Sequence, residues 1–170
     1  MRFVAIVLGV ALALAIQTTL SRFVVRGVVA IDLVLVAVVY VALTSGPTTG
    51  MLTGTVAGLI QDALSSSGIW VGGLVKTIVG FLAGIIGTQF IVTQSLPRFV
   101  VFFAATLVHA GLKMGLYALL ALGDFRGQPY GIMLSQAAAN AVAGIVAFQL
   151  VESVPGAVER RRAARPRLRR

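Results

Sequence analysis

Long apolar runs separated by short polar segments limit the possible folds of this chain more than any other feature. Of its 170 residues, 58% are hydrophobic and 11% are charged, whereas a soluble domain has roughly 45–50% apolar and about 25% charged residues. Several runs approach the roughly 20 residues that a membrane helix needs. We therefore predict an all-α polytopic membrane protein with six transmembrane helices, at about residues 3–20, 28–43, 47–64, 69–91, 99–122 and 130–151.

An arginine-rich tail follows the last apolar run. Seven arginines lie between Arg160 and Arg170, so we divide the chain into a transmembrane domain, residues 1–152, and a basic, disordered tail, residues 153–170. On a soluble protein such a tail would suggest nucleic acid. After a membrane helix it favours a cytoplasmic anchor at anionic lipid headgroups, with no nucleic-acid partner.

The distribution of positive charge predicts the orientation. Six spans place both termini on one side, and lysine and arginine in short flanks favour the cytoplasm. With the termini inside, the inner flanks carry Arg2, Arg98 and the seven tail arginines, which makes nine. The outer loops carry three, Arg22, Arg26 and Arg126. The count predicts cytoplasmic N- and C-termini, although the first loop opposes this orientation.

The first apolar run allows a second interpretation. A positive start at Arg2, an apolar run and the small residues of Ala11–Ala15 are also typical of a cleaved signal peptide. The run is long enough to span, and the rest of the chain is itself apolar. We therefore expect it to be retained as a membrane helix.

Few chemistries fit the polar residues of this sequence. The chain has no cysteine, which excludes disulfides, thiolate metal sites and cysteine nucleophiles. Its one histidine, His109, has no nearby carboxylate in the sequence, so a metal site has little support. We find no activated serine arrangement, no paired carboxylates on one helix and no phosphate loop. The sequence predicts neither a cofactor nor an enzymatic activity.

Glycines spaced by four residues mark the third and fourth runs. Glycines at this spacing share one helix face and let another backbone approach closely, which drives helix association in lipid. The stripe serves either packing within the bundle or docking of another protein's helix. It comprises Gly46, Gly50, Gly54 and Gly58, with a second series at Gly80 and Gly84.

Polar residues inside the predicted spans gather in the outer half of the membrane. At about 1.5 Å per residue, Lys76, Lys113 and Gln136 all lie about 10 Å below the outer face. They form either a shared polar core or an outward-facing cavity, unless the lysines extend to the interface along their own stems. The cluster comprises Gln17, Asp32, Gln61, Asp62, Lys76, His109, Lys113, Gln136 and Asn140.

Two carboxylates could neutralise these lysines. Asp32 lies in the first turn of the second span, where an acidic residue is also favoured simply by the helix dipole. Asp62 ends the third span, and the short loop Ser65–Gly68 makes spans three and four neighbours. We therefore expect Asp62 to be coupled to Lys76.

The pattern as a whole resembles the MreD family of the bacterial rod-shape machinery. The resemblance rests on Gln17-Thr18-Thr19-Leu20, on Asp32-Leu33 and on the stretch GPTTGMLTGTVAGLIQDALSSSGIWVGGL from Gly46 to Leu74. Its most specific part is Gly54-x-x-x-Gly58-Leu59-x-Gln61-Asp62. Length and the six predicted spans also fit, so the resemblance covers about residues 1–152. The arginine tail is not a feature that the resemblance explains.

The resemblance implies a non-enzymatic, multi-pass protein of the bacterial plasma membrane. Proteins of this family work with MreC, a single-span protein with a large periplasmic domain. Together they link the cytoplasmic MreB filament to RodA and a class B penicillin-binding protein, which synthesise the wall. The implied function is a scaffold that maintains rod shape.

The resemblance also supplies a rival function. The fold of the family is similar to the S components of energy-coupling-factor vitamin transporters, which hold a vitamin on the outer side of a six-helix bundle. S components dock a coupling protein through small residues spaced by four on the first helix. Ala11 and Ala15, or Gly9 and Ala13, match that spacing. A solute-binding S component is therefore the alternative to the scaffold.

Overall fold

The computed structural model describes residues 2–23, 31–65, 71–90, 94–120 and 129–153. Over these ranges the chain is all-helical, as predicted. Three helices, α4, α5 and α6, are long and apolar enough to cross a membrane. The helices are α1 (Arg2–Phe23), α2 (Leu33–Ser45), α3 (Pro47–Leu64), α4 (Val71–Gln89), α5 (Ser95–Leu119) and α6 (Tyr130–Ser153).

Two helix starts differ from the prediction. Helix α2 begins at Leu33 rather than Val28, and Asp32 is its N-cap rather than a residue of its first turn. The predicted residues 28–30 lie outside the described ranges. Helix α5 begins at Ser95 rather than Phe99. Pro97 was expected to precede the helix, but it lies in the first turn, where a residue without an N–H is tolerated.

Helix α2 forms the centre of the bundle. It has only 13 residues, about 20 Å of helix, and it contacts every other helix. Its sequence is apolar on all sides, which is the composition of a buried helix. Val34, Leu35, Val38 and Val39 are each at most 1% exposed. The short, valine-rich run that the sequence showed as one span among six is therefore the core around which the others pack.

The main apolar core joins α2 to α4, α5 and α6. It includes Leu35 and Val39 of α2, Val75 of α4, and Phe102 and Phe148 on α5 and α6. The rings of Phe102 and Phe148 meet edge to face at 6.1 Å, a favourable arrangement for two aromatic rings. A smaller core joins α1 to α2 and α3 through Val10, Leu14, Val34, Val38 and Ala57.

Helices α3 and α4 pack through their glycines. A Cβ atom on Gly50, Gly54 or Gly58 would collide with α4, and one on Gly80 or Gly84 would collide with α3. Nearly all the nearest atoms belong to backbone, which cannot rotate aside as a side chain can. In the structure the stripe of α3 is therefore occupied by α4, in keeping with packing within the bundle.

Gly46 has a different role from the rest of the stripe. It is the single residue between α2 and α3, and its φ is +90°, a conformation that L side chains rarely adopt. A Cβ there would meet only Thr88, at 3.9 Å. Its N–H donates to the Ala42 carbonyl, and Pro47 opens α3 directly after it. Gly46 is thus required by the turn rather than by close helix packing.

Candidate functional site

Lys76 is the centre of a buried polar network. Its Nζ lies 3.0 Å from Asp32 Oδ2 and 3.3 Å from His109 Nε2, and the residue is only 3% exposed. An uncompensated ammonium in this position would be very costly, since a buried charge needs a partner. The network therefore joins α4 to α5 and to the residue that caps α2.

The N-cap and side chains from two other helices accept hydrogen bonds from the unpaired N–H groups at the start of α2. The first N–H groups of a helix have no partner within it. Asp32 Oδ1 accepts from Leu35 N at 2.9 Å, as an N-cap does. Gln17 Oε1 of α1 accepts from Leu33 N at 2.7 Å, and Asn140 Oδ1 of α6 accepts from Asp32 N at 2.9 Å. The helix start is held by α1 and α6 at once.

Asn140 extends the network to α5. It is fully buried, and its Nδ2 donates to Thr106 Oγ1 at 3.3 Å. Thr106 in turn donates to the Phe102 carbonyl at 2.9 Å. Both members are thereby hydrogen-bonded, as buried polar groups generally are. Gln17, Asp32, Lys76, His109 and Asn140, which the sequence grouped in one intramembrane polar cluster, lie in one connected network.

The contact with Lys76 fixes the tautomer of His109. A lysine ammonium has donors only, so Nε2 of His109 accepts from it and the ring proton is on Nδ1. This assignment follows from the hydrogen bond, since the other nitrogen of a neutral imidazole then carries the hydrogen. The Nδ1–H donor has no hydrogen-bond partner among the described residues.

A polar cavity adjoins the network between α5 and α6. Its volume is about 120 Å³, and Asp32 and His109 lie in its wall. Lys113 and Gln136 line the same cavity, so two of the sequence-predicted residues that are absent from the network lie next to it. Ala110, Met114 and Met133 complete the lining.

The expected pairing of Asp62 with Lys76 is wrong. Lys76 pairs with Asp32, while Asp62 Oδ2 accepts from Gly73 N at 2.9 Å. Because the backbone of Lys76 lies against Gly54, its side chain leaves the α3 side and reaches α2 and α5. The Asp62 carboxylate instead satisfies an N–H in the first turn of α4, where the helix dipole favours negative charge.

Gln61 also lies outside the network. Its Oε1 is buried and has no hydrogen-bond partner in the part of the chain that the structure describes. Gln61 and Asp62 are both on α3, which contributes no side chain to the Lys76 network. The predicted polar cluster thus divides into a network with its cavity and a separate pair at the end of α3.

A second ion pair lies at the opposite end of α5 and α6. Arg98 and Glu152 form a bidentate pair, with Nη1–Oε2 3.1 Å and Nη2–Oε1 2.6 Å. The Arg98 guanidinium also lies 4.3 Å from the centre of the Phe148 ring, a cation–π distance. The pair closes α5 against α6 at the end remote from the Lys76 network.

Sequence reasoning missed Thr106 and the Arg98–Glu152 pair. A signal for Thr106 was present, because Thr106, His109 and Lys113 recur at helical spacing on one face of α5. Arg98 was interpreted as a helix start and an inner-flank charge, and Glu152 as a helix end. No local pattern joins them, since they are 54 residues apart.

The small residues of α1 considered for docking face outward. Ala11 and Ala15 are exposed, and a Cβ on Gly9 would meet nothing within 4 Å. Ala13 is half-buried. Exposed apolar side chains surround them, including Leu8 and Leu12, which are 63% and 62% exposed. This face of α1 has no helix of the described bundle against it.

The geometry of the network indicates how it acts. Lys76 is almost fully buried, and its two partners hold it in place. Within the described ranges no group of His, Asp or Glu side chains could hold a metal ion. The arrangement can cross-link α1, α2, α4, α5 and α6 through polar contacts, and His109 and Asp32 also border the cavity.

Comparison with known proteins identifies the family. A family model described as rod shape-determining protein MreD matches residues 1–151. The chain matches no curated protein and no solved structure. The match confirms the resemblance carried by the α3 and α4 sequences. Because it covers nearly all of the 170 residues, the chain belongs to the MreD family of rod shape-determining membrane proteins.

Proposed function

We propose that this protein is a non-enzymatic scaffold of the bacterial elongasome. In this role it binds an MreC-like single-span partner and couples MreB filaments, through RodA and a class B penicillin-binding protein, to lateral peptidoglycan synthesis. The observation that carries the proposal is the family match over residues 1–151, which implies a role in determining rod shape. The buried contacts between Lys76, Asp32, His109 and Asn140, which join four helices, support a structural use of these polar residues.

Six spans with cytoplasmic termini, in a bundle like that of S components, form part of this proposal. The long apolar helices α4, α5 and α6 support it, as does the nine-to-three arginine count. The Lys76 network then lies in the periplasmic half and the Arg98–Glu152 pair in the cytoplasmic half. The tail, which lies outside the described residues, would contact anionic lipid of the inner leaflet.

Reporter fusions test the orientation. A fusion after Arg170 is expected to be active as a cytoplasmic reporter, and a fusion within residues 66–68 as a periplasmic one, because positive flanks stay inside. Matched alkaline phosphatase and fluorescent protein fusions at both sites would measure this. The reverse pattern would place the Lys76 network on the cytoplasmic side and contradict the proposal.

The outward face of α1 is our proposed docking site for the partner's helix. The glycine stripe of α3 is occupied by α4, whereas Ala11 and Ala15 are exposed at a spacing that permits close helix approach. The face is apolar, as a transmembrane partner requires. Packing in lipid depends on such close contact, so a larger side chain there would separate the two helices.

Co-purification and cell shape test the scaffold and its docking face together. When the native gene is replaced with one that encodes the Ala11→Leu variant, we expect the MreC-like protein no longer to co-purify and the cells to become round. The purified Ala11→Leu protein should still unfold at the wild-type temperature. Val142→Leu, at a site 55% exposed on α6, is the matched control and should keep both partner and rod shape. Rod-shaped cells after deletion of the gene would contradict the scaffold function itself.

The cavity keeps the solute-binding S component as a second candidate. In the proposed orientation the cavity would lie on the outer side, as such a pocket does, but its volume is about 120 Å³, whereas pockets for drug-sized ligands hold about 300–1,000 Å³. A vitamin released from the purified protein on denaturation would favour this candidate over the scaffold.

A further inference from the structure

Several donors that line the cavity beside the Lys76 network have no hydrogen-bond acceptor among the described residues. Lys113 lines it and forms no ion pair among the residues that the structure describes. His109 also lines it, with its proton on Nδ1 because Nε2 accepts from Lys76, and this Nδ1–H has no partner among the described residues. Gln136 lines it as well, and its amide makes no hydrogen bond to a described residue.

The charge around the cavity is positive. Among the described residues, the one carboxylate in its wall is that of Asp32, which Lys76 neutralises at 3.0 Å. His109 is neutral in the tautomer that accepts from Lys76. The ammonium of Lys113 therefore remains as the uncompensated charge. A half-buried ammonium surrounded by further donors is complementary to an anion that accepts several hydrogen bonds.

The size of the cavity restricts the ligand further. Its volume of about 120 Å³ is well above the ~10–15 Å³ that holds one water molecule and below that of a pocket for a drug-sized ligand. Met114, Met133 and Ala110 provide the apolar part of the wall. The space suits one compact charged group rather than a large aromatic solute.

We propose that the cavity between α5 and α6 binds a small oxyanion, a phosphate or carboxylate group, from a free solute or a lipid headgroup. Lys113 is the counter-ion, and His109 Nδ1–H and the Gln136 amide are the hydrogen-bond donors. The bound group joins α5 to α6 beside the cap of α2. The proposal goes beyond the scaffold function and does not depend on it.

His109 offers a direct probe, since it is the only histidine in the chain. Protein labelled with ¹⁵N-histidine gives one imidazole, and its Nδ1 signal reports a new hydrogen bond. We expect titration with inorganic phosphate, in nanodiscs of an uncharged galactolipid that carries no phosphate, to shift Nδ1 saturably. A parallel titration with acetate tests whether a carboxylate group also binds in the cavity. The Nε2 signal should move less, because its contact with Lys76 is retained.

A second arm distinguishes the source of the oxyanion. Nanodiscs that contain phosphatidylglycerol are prepared without free phosphate. If the headgroup is the ligand, Nδ1 is already shifted in these nanodiscs, and added phosphate has no further effect. If a free solute is the ligand, phosphatidylglycerol leaves the signal unchanged and phosphate or acetate shifts it.

Three variants make the test decisive. Lys113→Met is expected to weaken binding about tenfold or more, the value of a hydrogen bond to a charged group. Arg170→Met removes one positive charge from the tail and should bind as wild type. Asp124 follows α5 in the sequence. Asp124→Asn therefore tests whether this carboxylate, rather than a bound oxyanion, neutralises Lys113. The proposal is overturned if the Nδ1 signal of the wild-type protein shifts in neither arm, including the case in which only Asp124→Asn shows a shift with phosphate. It is also overturned if Lys113→Met binds phosphate as tightly as wild type.

Discussion

Gly54→Leu is expected to destabilise the bundle by at least about 3 kcal/mol, at the upper end of the cost of overpacking a well-packed core. A Cβ on Gly54 would already collide with the backbone carbonyl of Lys76. The leucine side chain would therefore push α3 away from α4 and disturb the segment that carries Lys76. Thermal unfolding of the purified protein in detergent measures the loss, and a low yield of folded protein is expected with it.

A matched glycine provides the control. Gly111 of α5 is exposed, and a Cβ there would meet nothing within 4 Å. Gly111→Leu should therefore unfold near the wild-type temperature, and Gly54→Ala should fall between wild type and Gly54→Leu. If Gly54→Leu were as stable as Gly111→Leu, the glycine face of α3 would not be packed against α4.

Lys76→Met is expected to cost about 3–5 kcal/mol, because it leaves the Asp32 carboxylate buried without its partner. Asp32→Asn is the complementary single change, and asparagine can still cap α2 through its side-chain oxygen. The double variant should lose clearly less than the sum of the single losses, since no unpaired charge remains. Unfolding of all three variants in the same detergent measures the coupling.

Asp62 supplies the control for this coupling. Asp62→Asn retains an oxygen that can accept from Gly73 N, so its own loss should be small. Combined with Lys76→Met, its effect should be additive within about 0.5 kcal/mol, as for independent sites. Strong coupling of Lys76 to Asp62, with none to Asp32, would contradict the network.

The network and the Arg98–Glu152 pair fix opposite ends of the same helices. Asn140 and Thr106 join α6 to α5 near the Lys76 network, while Arg98 joins them at the other end. Between the two, Phe102 packs so closely on Gly144 that a Cβ on Gly144 would collide with its ring. A bundle held at both ends suits a scaffold, because a docked partner then meets a surface of fixed shape.

The sequence by itself determined the helical class and the family, and it predicted an approximate depth for the polar residues. Each depends on local information. Apolar runs predict helices wherever they reach the required length, and residues three or four apart share a face whatever the helix packs against. The spacing of Gly50, Gly54 and Gly58 therefore predicted a close helix contact. The depth of Asp32, Lys76 and Lys113 followed from counting residues along each span.

Only the tertiary structure decided which of these residues meet. Asp32 rather than Asp62 pairs with Lys76, although Asp62 is nearer in sequence, because packing of Gly54 on the Lys76 backbone directs the lysine away from α3. The contact between Asp32 and Asn140 spans 108 residues. Such contacts depend on how distant helices turn toward one another, and that rotation is set by the packing of the whole bundle rather than by any local pattern.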